Sequence, residues 1–455
     1  MVYIGEGSYG CVYRPAIKCK NGTKYKTGKI SKLMTRKYAK KEIDEYKLVK
    51  KADKKRQYYL GPPKHCEVDP VDALNEMSYG ECKLFEKNPN IRDYKLLIYD
   101  DGGYDLDKFV KIFADQYLAS DPKKQMELFF SNARNLFLGV KQFLENDLIH
   151  HDVKPQNIVF DPNTYRFNYI DFGIAEQKNV LIRKILAETD FENFHWSYPF
   201  ESGFLNHYKP YYFKKLNPQT LSYYEVDFTR VIEHGILENQ FKIKPSSFNS
   251  FFKYAENKVM PYSKTNYVKN VFIGLNIYLR NKTYEELVED VVNTIDIHSL
   301  GFTMNYILNL FYDKNAITRS QYISFSNLFQ RMCNPNLVVR VGFSIDDYLA
   351  WYDQILTSMG IQKPLVQNPL VQKPLLQKPC PEGKERNPET NRCRKIVQAK
   401  ADKPKADQAI AVQANPDQSK VDQSIKPALK KVLKPCPEGK ERNPETNRCR
   451  KIVKK

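Results

Sequence analysis

Apolar and polar residues are mixed as in a folded domain over residues 1 to about 355, and the pattern then breaks. In "RKYAKKEIDEYKLVKKAD" the residues Ala39, Ile43, Tyr46 and Val49 recur at helical spacing. Ile158–Phe160 and Tyr165–Ile170 are short β-prone runs separated by "DPNT" (Asp161–Thr164). Proline suits the second position of that turn, so the two runs predict an antiparallel hairpin. The apolar run in "LLIYDDGGYDL" (Leu96–Leu106) predicts a strand, and "DDGG" a flexible connection after it. An aromatic-rich segment from Ser202 to about Leu279 has helical patches and no motif. From Ile361 the composition changes. "QKPLVQNPLVQKPLLQKP" (Gln362–Pro379) repeats a five-residue unit with proline in each copy, which predicts an extended spacer. "KPCPEGKERNPETNRCRKIV" follows at Lys378–Val397 and recurs at Lys434–Val453, with a polar, aromatic-poor linker between the copies.

A chain of 455 residues is too long for one compact core. Hydrophobic residues at 42%, with 13% aromatics, suit a globular enzyme and exclude a chain disordered throughout. The net charge of +19 favours anionic partners, whether nucleotide, acidic protein, nucleic acid or membrane surface. It fits a soluble basic enzyme equally well. No uninterrupted apolar run approaches the roughly 20 residues of a membrane span. "MVYIGEGSYG" lacks the basic start and apolar block of a signal peptide, so an intracellular, non-secreted protein is expected. Cys11, Cys19, Cys66, Cys82 and Cys333 are scattered and read as reduced thiols.

Chemistry enters with "LIHHDVKPQNIVFDPNTYRFNYIDFG". The hairpin sets Asn157, before its first strand, beside Asp171, after its second. An amide oxygen and a carboxylate, with Asp152 near, make a hard oxygen-donor site suited to Mg²⁺ on phosphates. "GEGSYGCV" (Gly5–Val12) is Gly-x-Gly-x-x-Gly-x-Val, whose glycines let backbone N–H groups approach phosphate oxygens. Alone it is a weak signal, and it lacks the Gly-Lys-Ser/Thr end of a P-loop.

Taken in order, "GEGSYGCV", "HHDVKPQN" and "DFG" resemble the eukaryotic-type protein kinase signature set. "YPFE" (Tyr198–Glu201) resembles the close of the activation segment. "DIHSLG" (Asp296–Gly301) resembles the start of the large central helix. "MCNPNLVVR" resembles the segment whose arginine, Arg340, pairs with Glu201. The resemblance implies an α+β, bilobal kinase fold over residues 1–355: a β-rich N-lobe (about 1–99), a hinge (99–103) and a helical C-lobe (104–355). A long helical insertion spans about 202–290. The implied tail is mostly disordered: a Pro-rich linker (361–377), a first module (378–397), a flexible linker (398–433) and a second module (434–453).

The resemblance also implies roles. Asp152 orients the acceptor hydroxyl and takes its proton, and Lys154 touches the γ-phosphate, as in serine/threonine kinases. Asn157 and Asp171 hold Mg²⁺, with Mn²⁺ as a substitute, while Ile4, Gly5, Glu6, Gly7, Ser8, Tyr9, Gly10, Cys11 and Val12 cover the ATP. Asp296, Glu201 and Arg340 are structural. Backbone groups around Tyr99–Asp101 face the adenine. For the ATP lysine, "AIK" ending at Lys18 follows Gly10 too closely to lie on a third strand. Lys29 in "YKTGKIS" stands at a workable distance and is chosen, with Lys26 and Lys32 open. Its partner on the next helix is Glu42, with Glu45 as the alternative.

His151 occupies a place that is arginine in most of the family. A largely neutral imidazole cannot replace a bidentate guanidinium, so activation without activation-loop phosphorylation at Thr189 or Ser197 is expected. Each tail module, with Cys380/Cys393 or Cys436/Cys449, is too small to fold unaided. A disulfide within each module, or Zn²⁺ shared between the copies, would staple it. The modules resemble the two-cysteine adaptor domain of large DNA viruses, notably iridoviruses. That implies a viral serine/threonine kinase tethered to a viral or host protein, in host cytoplasm or with the virion, and with no need of nucleic acid. A pseudokinase scaffold and a small-molecule kinase are the competing readings. Asp152, Lys154, Asn157 and Asp171 together disfavour the first, and the activation-segment landmarks disfavour the second.

Overall fold

The computed structural model describes residues 2–7, 10–25, 28–69, 82–84, 90–119, 121–187, 197–205 and 264–362, together with short strands beyond residue 383. The chain divides into two units, Met1–Pro374 and Leu375–Lys455.

The first unit opens with β1 (Val2–Gly7), β2 (Gly10–Arg14) and β3 (Lys29–Thr35). With β4 (Lys64–Cys66) and β5 (Tyr94–Asp100) they form an antiparallel sheet in the order β1-β2-β3-β5-β4. Glycine is required at Gly10 by packing: a Cβ there would lie 2.7 Å from Met34 Cγ and 2.8 Å from the Leu33 carbonyl oxygen. Helix α1 (Arg36–Ala52) turns Ala39, Glu42, Tyr46 and Val49 inward at helical spacing, into one cluster with Met34 of β3 and Leu97 and Tyr99 of β5. Its other face carries exposed Lys37, Lys40, Lys41, Lys47, Lys50 and Lys51.

Two disulfides cross this region, Cys11–Cys82 and Cys19–Cys66, replacing the expectation of reduced thiols at these four positions. The partners are 71 and 47 residues apart in the chain, with Cα atoms 5.9 and 5.8 Å apart. No local pattern announces such a pairing. Cys333 is a free, buried thiol.

The helical part begins after β6 (Tyr104–Asp105) with α2 (Leu106–Lys108) and α3 (Ala114–Leu118). α4 (Pro122–Glu145) starts where Asp121 accepts the Lys124 amide at 3.0 Å and proline fills the first turn, a start that leaves fewer orphan donors. β7 (Leu148–Ile149), β8 (Ile158–Asp161), β9 (Arg166–Tyr169), β10 (Glu176–Gln177) and α5 (Lys178–Leu186) follow. After them come α6 (Lys264–Leu279), α7 (Tyr284–Asp313), α8 (Arg319–Met332), α9 (Leu337–Val341) and α10 (Ile345–Ser358).

Phe129 of α4 meets the rings of Phe109, Phe160, Phe167 and Phe311 within 6.1 Å, which welds α4, the β8–β9 hairpin and α7 into one core. Truncating such a ring to alanine costs about 3–5 kcal/mol. α7 is apolar around most of its circumference and buried accordingly.

The structure moves one boundary. The central helix does not start at Asp296 but at Tyr284, where Thr283 and Glu286 form a reciprocal capping box. Residues 284–290, expected within the insertion, are therefore the first turns of α7. Residues 206–263 of that insertion lie outside the described residues. So do the proline-rich spacer from residue 363, the 398–433 linker, Cys380 and Cys436. In the second unit, Lys384–Arg386 pairs antiparallel with Cys393–Lys395, and Lys440–Arg442 pairs in the same way with Cys449–Lys451.

Candidate active site

Two nested antiparallel pairings build the centre of the site. The inner is the β8–β9 hairpin, in register Ile158↔Tyr169. The outer is β7 with β10, in register Ile149↔Glu176. The segments between them, 150–157 and 170–175, must therefore run side by side. The Ile170 amide donates to the Asn157 carbonyl at 3.0 Å, and the His150 ring reaches the Ile170 carbonyl at 3.2 Å. This brings Asp152, Asn157 and Asp171 to one place. The turn is set by Asp161, which accepts the Asn163 amide at 3.0 Å and the Thr164 hydroxyl at 2.8 Å.

Asp152 accepts both Lys154 Nζ, at 2.8 and 2.9 Å, and Asn157 Nδ2, at 2.7 Å. Burial pushes its carboxyl up to about 6, against the opposing pull of Lys154. Asn157 commits its amide nitrogen to Asp152, leaving its carbonyl oxygen as the group able to meet a cation. Asp171 has a left-handed backbone, φ 59°, and a half-exposed side chain. Phe172, next to it, packs among Tyr46, Tyr59, Phe143 and His150. His150 is buried and held near 4 by loss of solvent, so it is neutral. Its Nδ1 accepts the Asp152 amide at 3.3 Å, which leaves the proton on Nε2, facing Ile170.

The sheet contributes a lysine, and it is not the expected one. Lys29 Nζ lies 2.5 Å from Asp100, opposite it in the β3–β5 register, and does not meet Glu42. Lys32 Nζ binds Glu42 Oε2 at 2.7 Å and stands 4.0 Å from Asp171. Desolvation acts against the Lys32 charge, but Asp171 and Glu42 outweigh it and raise its pKa. The signal was available in "ISKLM": a lysine enclosed by apolar strand neighbours, whereas Lys29 only opens the strand. Glu45, the alternative partner, lies 3.7 Å from Lys41 instead.

Lys108 Nζ donates to the Ile4 carbonyl at 2.7 Å and ties β1 to the start of the helical half. Glu6 Oε1 accepts the Leu84 amide at 3.2 Å, and the Cys11 side chain is buried in its disulfide. Ser8 and Tyr9 lie outside the described residues. In the connection after β5, the Asp101 amide is committed to the Gly28 carbonyl at 3.0 Å. Gly103, at φ 91°, lies against β8 so closely that a Cβ would sit 2.2 Å from the Phe160 oxygen.

Asp296 lies inside α7 and accepts the His150 and His151 amides at 2.7 and 2.9 Å. These two bonds hold His151 at φ 65°. The His151 ring stacks on Tyr198, 5.0 Å between centroids and 6° apart, and the Tyr198 hydroxyl donates to the His151 carbonyl. Burial holds His151 near 4 and neutral. Ser197 is buried, and its carbonyl accepts from His298 at 3.0 Å and Ser299 at 2.9 Å. Glu201 and Arg340 form a fully buried ion pair. Sequence reasoning found neither the Tyr198–His151 contact nor the Lys108 clasp, because each joins residues far apart in the chain.

No family model matches the chain. It is 25% identical over 197 residues to Cyclin-dependent kinase B2-1 of Arabidopsis thaliana, covering 41% of this chain. The chain spans about half the length of that curated relative, 52%. The similarity supports a protein kinase relationship, and the β-sheet region followed by helices is compatible with a kinase fold. Among the described residues, no helix is long and apolar enough to cross a membrane.

Proposed function

We propose that this chain transfers the γ-phosphoryl group of ATP to serine and threonine hydroxyls of proteins. One observation carries the reading: Lys32 of the sheet, held by Glu42, stands 4.0 Å from Asp171 of the ribbon that also holds Asp152, Lys154 and Asn157. A cation from one side and oxygen donors from the other meet where a triphosphate needs both. Lys32, in place of Lys29, contacts the phosphates. The Asn157 side-chain oxygen Oδ1 and the Asp171 carboxylate would hold Mg²⁺, which neutralises phosphate charge when bound; both are the hard oxygen donors it prefers. Asp152 receives the acceptor's proton, and Lys154 neutralises the phosphoryl oxygens beside it. β1 and β2 cover the nucleotide.

The neutral His151–Tyr198 stack supports activity without a phosphate on the activation segment, because Ser197 is buried and an imidazole near pH 7 offers no grip on phosphate. Viral origin and a tethering role for the repeated modules rest on the sequence of those repeats. The test is transfer from labelled ATP to a panel of protein and small-molecule acceptors, with the site mapped by mass spectrometry. Label on serine and threonine in the wild type, lost in Asp152→Asn, is the expected outcome. Label on tyrosine or on a metabolite would overturn the substrate class.

A further inference from the structure

Glu42 is held at both carboxylate oxygens by groups from two different strands. Lys32 Nζ on β3 binds Oε2 at 2.7 Å, and the Tyr99 hydroxyl on β5 donates to Oε1. Both Glu42 and Tyr99 are buried, at 6% and 7% exposure. The Tyr99 ring lies 5.7 Å from that of Tyr46, one turn along α1, and Tyr46 lies 5.5 Å from Phe172 beside Asp171. Packing alone does not ask for a tyrosine here, since phenylalanine fills nearly the same volume. A buried hydroxyl costs free energy unless it is hydrogen-bonded, and its bond to a carboxylate is of the stronger, charge-assisted kind. Burial also raises the Tyr99 phenol well above its ordinary value, so it remains a donor at any working pH.

We propose that Tyr99 is a positioning residue: its hydroxyl anchors Glu42 to β5, so that α1 stays against the sheet and Lys32 stays at Asp171. A lysine alone would hold Glu42 through a long side chain with many rotamers. The Tyr99 bond adds a short, rigid strut from a strand hydrogen-bonded to the one carrying Lys32. The inference rests on the phosphotransfer reading for its kinetic effect, but not for its structural one.

The test is a double-mutant cycle of Tyr99→Phe and Glu42→Gln in the full chain. It measures kcat and KM for ATP with histone as acceptor, alongside hydrogen exchange of the α1 amides. Tyr99→Phe is expected to lower kcat/KM by about tenfold to a hundredfold, more in kcat than in KM, because the lysine charge remains but is misplaced. In the Glu42→Gln background the same change should cost less than about twofold, as expected of directly coupled groups. The α1 amides should exchange faster in Tyr99→Phe, with those of β5 unchanged. Tyr99→Met, which also lacks the hydroxyl, must show the same dependence on Glu42 should the phenylalanine variant fold poorly. Equal losses in both backgrounds, or wild-type rates and exchange in Tyr99→Phe, would overturn the proposal. A wild-type chain that transfers no phosphate would defeat the phosphotransfer reading, while the exchange data would still decide the role of Tyr99.

Discussion

The two walls of the candidate site, sheet and ribbon, reach their geometry by opposite routes. In the ribbon of residues 148–177, Asp152, Asn157 and Asp171 are brought together by pairings between strands that are close in sequence. In the sheet wall, Lys32 meets Glu42 and Tyr99 through the β3–β5 register and the docking of α1, and Tyr99 is 57 residues from Glu42. The ribbon is largely a local device, set by strand register and held from below by Asp296. The sheet wall is a tertiary one. A one-residue change of register there would bring Ser31 or Leu33 to the place of Lys32 and leave Glu42 without its lysine.

The comparison can be strained from either wall. The largest effect is expected beneath the ribbon: Arg340→Ala leaves Glu201 as a buried, uncompensated charge and should cost about 3–5 kcal/mol in urea unfolding. In the sheet wall, replacing Cys11 and Cys82 by serine should cost about 2–4 kcal/mol, and reductant should lower the melting temperature of the wild type but much less that of a variant lacking both disulfides. The smallest effect is a displaced pH profile. Asp152 must be ionised to accept a proton, and burial raises its carboxyl to about 6. Phosphotransfer should therefore fall as pH drops through about 6, not through the ordinary carboxylate range near 4. His150 and His151, both held near 4, stay neutral across that fall and do not cause it.

The same division explains what the sequence disclosed. The β8–β9 hairpin was legible because an Asp-Pro-Asn-Thr turn between two β-prone runs has one simple solution. The inward face of α1 was legible through the spacing of Ala39, Ile43, Tyr46 and Val49, of which Ile43 is half-buried at the edge of that face. Glu42 faces the sheet, as its place on that helix predicts, but it pairs with Lys32 and not with Lys29, which meets Asp100 across the β3–β5 register. The start of α7 is set by the capping box of Thr283 and Glu286, about three turns ahead of Asp296, which lies inside the helix. The disulfides and the Tyr198–His151 stack left no local trace.

Lys32→Met and Lys29→Met, assayed side by side for transfer from labelled ATP, separate the two lysines of β3. Lys32→Met should lose about a hundredfold or more, from removing a charge at the transferred phosphate. Lys29→Met should stay within about twofold of wild type, because its partner is a partly exposed aspartate. An active Lys32→Met beside an inactive Lys29→Met would contradict the placing of Lys32 at the phosphates.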